Sequence, residues 1–317
     1  MSWTDRTERT EELIVKDAFA KRYKKIFEAK YDTFMESNKK YLRRAIRINT
    51  LKARNEIADT LRAQGWTLVP VPWCAQGYWI EGERLDIGNL LEHQLGHLYI
   101  QDPASMLPVE ILRPQPGERV LDMCAAPGSK TSQMAAHMQN RGIIVANDAD
   151  ASRLAPLGVN LQRLGVANTV ITRKDAREYK KYSFDKILLD APCSGTGTIR
   201  RSLKALTQFN PQQLHAFHKL QYRLLLTGYA ALVSGGTMTY STCSIDPLEN
   251  ECVIDAFLNA HPEAELVDIT VNIQREPNIL THPETGSSLH TAINKCLRIH
   301  PYTNDTEGFF VAHIRKP

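Results

Sequence analysis

Two hydropathy rhythms divide the chain. From Arg119 onward, short and nearly continuous apolar runs alternate with segments in which apolar residues return every three or four positions. RVLDMC, GIIVAND, NTVITRK, FDKILLD and GGTMTYST read as strands, and SKTSQMAAHM, SRLAPLGVNLQRLG and PQQLHAFHKLQYRLLLTGYAALV as the helices among them. A helix from Leu248 to Ala260 follows, then extended pieces at AELVDI and GFFVAHIRK (308–316). Strands apolar on both faces predict a parallel sheet covered by helices on both sides. In such sheets ligands bind beyond the carboxyl ends of the strands, where the connections diverge.

The rhythm before Arg119 is different. Residues 7–30 carry helical periodicity, YLRRAIRINTL (41–51) reads as a strand, RNEIADTLRAQGW as a helix closed by Gly65, and WTLVPVPWC and GYWIEG as short extended pieces. The expected organisation is a small α+β region over residues 1–115 and an α/β domain over 116–317.

At 317 residues with 43% hydrophobic and 23% charged residues, the chain has ample material for packed cores and no signature of disorder. It carries neither a secretory leader nor an apolar run long enough to span a bilayer, so a cytoplasmic location is expected. The six cysteines, at 74, 124, 193, 243, 252 and 296, show no CxxC pairing and no neighbouring histidine cluster, which predicts free thiols and no metal site. Net charge is +4, but residues 1–54 hold fifteen Lys/Arg against eight Asp/Glu, leaving the remainder at −3. A basic front end on a near-neutral body suits a polyanion, and equally a solvated helix face.

The strand ends carry the chemistry. The first strand of the α/β part runs into LDMCAAPGSKT (121–131), an acid followed by small residues and a helix start. Small side chains let the backbone of Cys124, Ala125, Ala126, Pro127, Gly128 and Ser129 approach a ligand, and the helix N-terminus offers free N–H groups. A phosphate-binding loop would need glycine where Cys124 and Ser129 stand, and a dinucleotide fingerprint would need three glycines where Gly128 is single. Asp148 ends the second strand at the spacing of a ribose-binding carboxylate. Asp175 follows the third strand, within reach of an adenine edge. The combination favours a nucleoside cofactor without pyrophosphate, namely S-adenosylmethionine.

Two further strands end in thiols, at DAPC with Asp190 and Cys193, and at STCS with Cys243. A thiolate added to carbon-6 of cytosine makes carbon-5 nucleophilic enough to accept a methyl group, and Asp190 is placed to hold the charge that develops at ring nitrogen-3. A second thiol assists the elimination that follows. Buried cysteines are more often packing residues, and that reading is kept for Cys74, Cys252 and Cys296.

The chain resembles the Sun/Nop (NSUN, RsmB/Nop-type) family of RNA 5-methylcytosine methyltransferases through RINTLK (47–52), HLYIQDPASMLP (97–108), VLDMCAAPGSKT (120–131), DAPCSGTGTIRR (190–201), TYSTCSIDPLENE (239–251) and EGFFVAHIRK (307–316). The resemblance implies a Rossmann-like class I methyltransferase fold, with a mostly parallel seven-stranded sheet. It implies S-adenosylmethionine held by the backbone of Cys124–Lys130 with Asp148, Arg153, Asp175 and Asp190. It also implies that Cys243 is the nucleophile, that Cys193 helps free the product and that Lys130 lies close to the chemistry. Ser129 departs from the glycine of many relatives. The front region is implied to position RNA, with Lys39, Lys40, Arg43, Arg44 and Arg47 as candidate phosphate contacts. Transfer RNA is the expected substrate; ribosomal RNA, or an RNA-binding module without turnover, are the alternatives.

Overall fold

A computed structural model describes residues 8–9, 12–53, 56–83 and 86–317. It begins with helices α1 (Asp17–Phe27) and α2 (Tyr31–Lys39), which lead into β1 (Ala45–Ile48). The helix expected over 7–30 therefore starts at Asp17, and residues 12–16 form no regular element; positions 7, 10 and 11 lie outside the described residues. After α3 (Glu56–Ala63) come β2 (Thr67–Pro70), β3 (Gly77–Glu81), α4 (Leu91–Gln94) and β4 (Leu98–Ile100). Arg54 and Asn55, at the expected start of α3, are also outside the described set. These four strands form an antiparallel sheet in the order β2-β3-β1-β4.

Helix α5 (Pro103–Leu112) joins this sheet to the larger body. Its residues sit in a run that periodicity alone leaves ambiguous, because nearly all of them are buried and no polar face marks the helical repeat. The larger body contains β5 (Arg119–Asp122), α6 (Ser129–His137), β6 (Ile143–Asn147), α7 (Ala151–Arg163), β7 (Thr169–Thr172) and β8 (Phe184–Asp190). Then follow α8 (Lys204–Thr207), α9 (Pro211–Ala231), β9 (Leu232–Thr242), α10 (Glu251–Ala260), β10 (Glu265–Leu266), β11 (Leu297–Ile299), α11 (Pro301–Asn304) and β12 (Phe309–Arg315).

The main sheet runs β10-β12-β9-β8-β5-β6-β7, and β11 pairs with β12 as an eighth strand. Strands β5 to β9 are parallel, and β12 is antiparallel to β9. Continuous apolar runs gave the parallel strands their legibility. The strand expected at AELVDI shrinks to the two residues of β10.

Helices α1 and α2 do not stay with the small sheet. Phe19, Tyr23, Phe27, Tyr31 and Phe34 are buried in the same core as Phe209, Leu206 and Phe257 of the larger body. Phe19 meets Phe209 edge-on at 5.4 Å between ring centroids, and Tyr23 does so at 5.7 Å. Arg22 of α1 pairs with Asp246 through Nη2 at 2.8 Å, and the Tyr23 hydroxyl donates to the same carboxylate at 3.0 Å. The first helix thus braces the segment immediately after Cys243.

Candidate active site

Strands β8 and β9 are parallel neighbours with Asp190 opposite Ser241. Their loops therefore leave the sheet side by side, and the Ala191 N–H donates to the Ser241 carbonyl at 2.8 Å. This register brings the Cys193 and Cys243 sulfurs to 3.3 Å although fifty residues separate them in the chain. Three chain segments then cross with no room to spare. The Gly197 N–H donates to the Cys243 carbonyl at 2.9 Å, and the Gly308 N–H donates to the Gly197 carbonyl at 2.9 Å. A Cβ on Gly197 would lie 2.3 Å from the Gly308 oxygen and 2.7 Å from the Cys243 oxygen. Gly197→Ala is therefore expected to push the cysteine loop outward and lower turnover by about 10²-fold, measured as kcat on a variant whose circular dichroism matches the parent.

The pair is electrostatically asymmetric. The Cys193 thiol donates to Cys243 and holds the Cys243 pKa below that of an ordinary thiol, against the opposing effects of burial and Asp190 and with help from Lys130. The same hydrogen bond, with burial, pushes Cys193 well above the ordinary value. Of the two sulfurs, Cys243 is therefore the one that ionises more readily. Burial raises the other four thiols, Cys74 to about 12. Alkylation of Cys243 followed against pH should then show an inflection below 9, and Cys193→Ala, which removes the donor, should move it upward. An inflection that stays put in the variant would remove Cys193 as the cause.

Lys130, in the first turn of α6, is buried and reaches across to this pair of loops. Its Nζ donates to Asp190 Oδ2 at 2.7 Å and to Ser105 Oγ at 3.0 Å. Ser241 Oγ donates to the other oxygen, Oδ1, at 2.8 Å. Burial works to lower the Lys130 pKa, but Asp190 outweighs it and the ammonium is favoured. Asp190 is thus fixed from two sides.

A cavity of about 510 Å³ connects these groups, within the roughly 300–1,000 Å³ of small-molecule sites. It is lined by Asp122, Cys124, Ala125, Ala126, Pro127, Ser129 and Arg153, and also by Lys130, Asp190 and Cys243. Of the two thiols it is Cys243 that lines this cavity. The loop makes its turn at Gly128, with φ 102°, where a Cβ would come to 3.0 Å from Leu157. At the floor, Asp122 is 1% exposed, accepts from Thr131 Oγ1 at 2.7 Å and leaves Oδ1 without a partner. Burial raises its pKa to about 7. A closely approachable loop, an unsatisfied buried carboxyl oxygen beside it and a cavity that also reaches Cys243 fit an adenosyl cofactor.

Two expected ligands stand apart from that lining. Asp148 is buried and already accepts from the Ala126 N–H at 3.2 Å and the Asp150 N–H at 3.0 Å, with Arg153 Nη1 at 3.2 Å. Asp175 caps the turn Ala176–Lys181 and is ion-paired to Arg177. The basic residues divide as well. Arg43 and Arg44 line the cavity, Arg43 over the Trp79 ring at 5.1 Å and bonded to Glu81 at 2.6 Å. Lys39 is paired with Glu36, and Lys40 is exposed. Arg47 is a correction to the expected set of phosphate contacts: it is 2% exposed and donates to Gln101 Oε1 at 2.9 Å and Ser132 Oγ at 2.8 Å. It ties the small sheet to α6 and cannot reach a phosphate from there.

The site also recruits residues to which sequence reading gave no role. Asp102, Ser105, Thr198, Arg201, Glu307 and Phe309 all line the cavity. Their motifs, QDPAS, TGTIRR and EGFF, were visible as family signatures, but only the fold shows that they converge. Among the described residues no group of three or more His, Cys, Asp or Glu could hold a metal ion, and no helix is long and apolar enough to cross a membrane.

Comparison with known proteins bears on this arrangement. Residues 109–315 match the family described as 16S rRNA methyltransferase RsmB/F, and residues 15–103 match the N-terminal domain of 16S rRNA methyltransferase RsmF. A tRNA (cytosine(49)-C(5))-methyltransferase of Pyrococcus abyssi is 40% identical over 95% of this chain and 99% of its own length. Ribosomal RNA small subunit methyltransferase F of Erwinia tasmaniensis is 40% identical over 90% of this chain, which spans only 60% of that relative. The crystal structure of a methyltransferase homolog protein from Pyrococcus horikoshii superposes with a TM-score of 0.86 at 37% identity, covering 96% of both chains.

Proposed function

The chain belongs to the RsmB/F family, and is thereby an S-adenosylmethionine-dependent RNA cytosine-5 methyltransferase; from that premise we propose that it modifies transfer RNA with Cys243 as its nucleophile. The observation that carries the second part is that Cys243 lines the cavity with its sulfur 3.3 Å from a second thiol, whose hydrogen bond lowers its pKa. The Cys243 thiolate attacks carbon-6 of a cytosine that has been unstacked into the cavity. Attack places negative charge at ring nitrogen-3; the Lys130 ammonium, bonded to Asp190, supplies the proton that neutralises it, and the Asp190 carboxylate, also held by Ser241, accepts the hydrogen bond of the resulting N–H. S-adenosylmethionine, when bound, supplies the methyl group taken up at carbon-5. The carbon-5 proton then passes to water, the carbon-5–carbon-6 double bond re-forms as the Cys243 sulfur is expelled, nitrogen-3 returns its proton to Lys130, and the Cys193 S–H donates to the leaving thiolate as its bond breaks.

Cofactor contacts are assigned to the backbone of residues 124–130 together with Arg153 and Asp122. Asp148 acts through the loop it holds, and Asp175 joins on exchanging its Arg177 partner. Residues 1–115 present the RNA, with Arg43, Arg44, Lys39 and Lys40 toward phosphates, and residues 116–317 perform the chemistry. The reduced thiols this cycle requires support a cytoplasmic location.

Transfer RNA is favoured because the relative matched along nearly all of its own length is the transfer-RNA enzyme. The family description and the second relative support small-subunit ribosomal RNA as the other reading. Incubation with labelled cofactor and either total transfer RNA or small ribosomal subunits, followed by bisulfite mapping, is expected to place 5-methylcytosine in transfer RNA. Label confined to ribosomal RNA would select the other reading, and label in neither would count against both.

A further inference from the structure

Glu249 is fully buried and takes no part in the cycle above. It lies six residues beyond Cys243, between β9 and α10. Its Oε1 accepts from the Ser194 N–H at 2.8 Å and from Gln221 Nε2 at 3.1 Å. Its Oε2 accepts from the hydroxyls of both Ser194 and Ser244. Ser194 directly follows Cys193, and Ser244 directly follows Cys243. Gln221 in addition donates to the Pro192 carbonyl at 2.8 Å, on the other side of Cys193. One carboxylate therefore holds the neighbour of each thiol.

A buried carboxylate is costly unless its lone pairs are well satisfied, and here four donors converge on two oxygens. An apolar residue of the same volume would avoid the desolvation but could not hold both loops. The carboxylate is itself secured, because its backbone carbonyl accepts from the Tyr240 hydroxyl, and the flanking Asp246 and Glu251 are paired to Arg22 and Arg298. Thr196 Oγ1 also meets both serines, at 3.3 Å from Ser194 Oγ and 3.0 Å from Ser244 Oγ, and the serine hydroxyls lie 3.3 Å apart, so Glu249 is the charged hub of a network that links the residue after each cysteine.

We infer that Glu249 is the positioning residue that sets the separation of the two cysteine sulfurs by gripping Ser194 and Ser244 together. The inference rests on the reading of Cys193 and Cys243 as a working pair, but its test does not depend on methyl transfer. With the thiol oxidant diamide, the parent protein should form a Cys193–Cys243 disulfide, identified by peptide mass spectrometry. Glu249→Ala should slow that capture at least about tenfold, since both loops lose the charged acceptor that gathers them and keep only the neutral hydroxyl contacts among Ser194, Thr196 and Ser244. Glu249→Gln should stay within about threefold of the parent, because the amide oxygen still accepts the Ser194 N–H and the amide N–H groups can donate to the serine oxygens. In the methylation assay Glu249→Ala should lower kcat while leaving the cofactor KM within about twofold. A folded Glu249→Ala protein that forms the disulfide at the parent rate would overturn the inference, as would a Glu249→Gln protein as slow as Glu249→Ala. Should Glu249→Ala not fold, Ser244→Ala removes one arm of the grip at little change in volume; slower capture supports the inference and unchanged capture overturns it. Failure of the parent to methylate any RNA would refute the proposed activity while leaving the capture result intact.

Discussion

Replacing Cys243 with serine should abolish methyl transfer, with a loss of roughly 10⁴-fold or more, as expected when a nucleophile is removed from a mechanism that has no other. A serine hydroxyl preserves the shape of the site but is not ionised at neutral pH, so the hydrogen bond from Cys193 finds no anion to stabilise. Cofactor affinity should be nearly unchanged, because the loop at Cys124–Ser129 and the Asp122 floor are untouched. The companion variant, Cys193→Ala, should behave in the opposite manner. Attack still occurs, though from a less acidic thiol, while departure of the sulfur loses its hydrogen-bond donor. A covalent protein–RNA species should accumulate, visible as a slow, reductant-resistant band on a denaturing gel. If Cys243→Ser kept more than about a tenth of parental turnover, the assignment of the nucleophile would be wrong.

The second large effect concerns stability. Arg298 is 1% exposed and makes a bidentate pair with Glu251, Nε to Oε1 at 2.7 Å and Nη2 to Oε2 at 2.5 Å, while Nη1 donates to the Ile245 carbonyl at 2.9 Å. Removing one partner of such a pair strands the other charge in the interior. Arg298→Met should therefore lower the unfolding free energy by about 3–5 kcal/mol, read from urea denaturation. Pairing it with Glu251→Leu removes the stranded carboxylate and should recover most of that loss. A single variant within about 1 kcal/mol of the parent would mean that the pair is no more than a surface-type interaction. Because the Ile245 carbonyl sits two residues after Cys243, the single variant should also lower activity before it unfolds.

These two results probe features of very different legibility. The thiols could be found in the sequence because each follows a buried β run, and a parallel sheet sends the ends of neighbouring strands to one edge. Their separation could not, since it depends on Asp190 lying opposite Ser241 and on the close crossing of Gly197 with Gly308. Arg47 misled for a related reason. In AIRI the arginine between two isoleucines reads as the wet position of a strand, but all four residues of β1 are buried: Ala45 clusters with Met106 and Leu107 of α5, and Arg47 on the same face bonds to Ser132 of α6. The first two helices were legible as amphipathic, yet nothing in their periodicity says which body covers the apolar side. It is the larger one, through Phe209 and Asp246. Glu249 reads as one more polar residue in a loop, and only the fold shows its carboxylate reaching fifty-five residues back to Ser194.

RNA in which cytidines are replaced by 5-fluorocytidine offers the most direct measurement, because fluorine at carbon-5 cannot leave as a proton does and the ring stays bonded to the attacking sulfur. With S-adenosylmethionine present, digestion and mass spectrometry should find the methylated, fluorinated nucleotide on the peptide that carries Cys243. An adduct on the Cys193 peptide, or no adduct under conditions where ordinary RNA is methylated, would contradict covalent catalysis by Cys243.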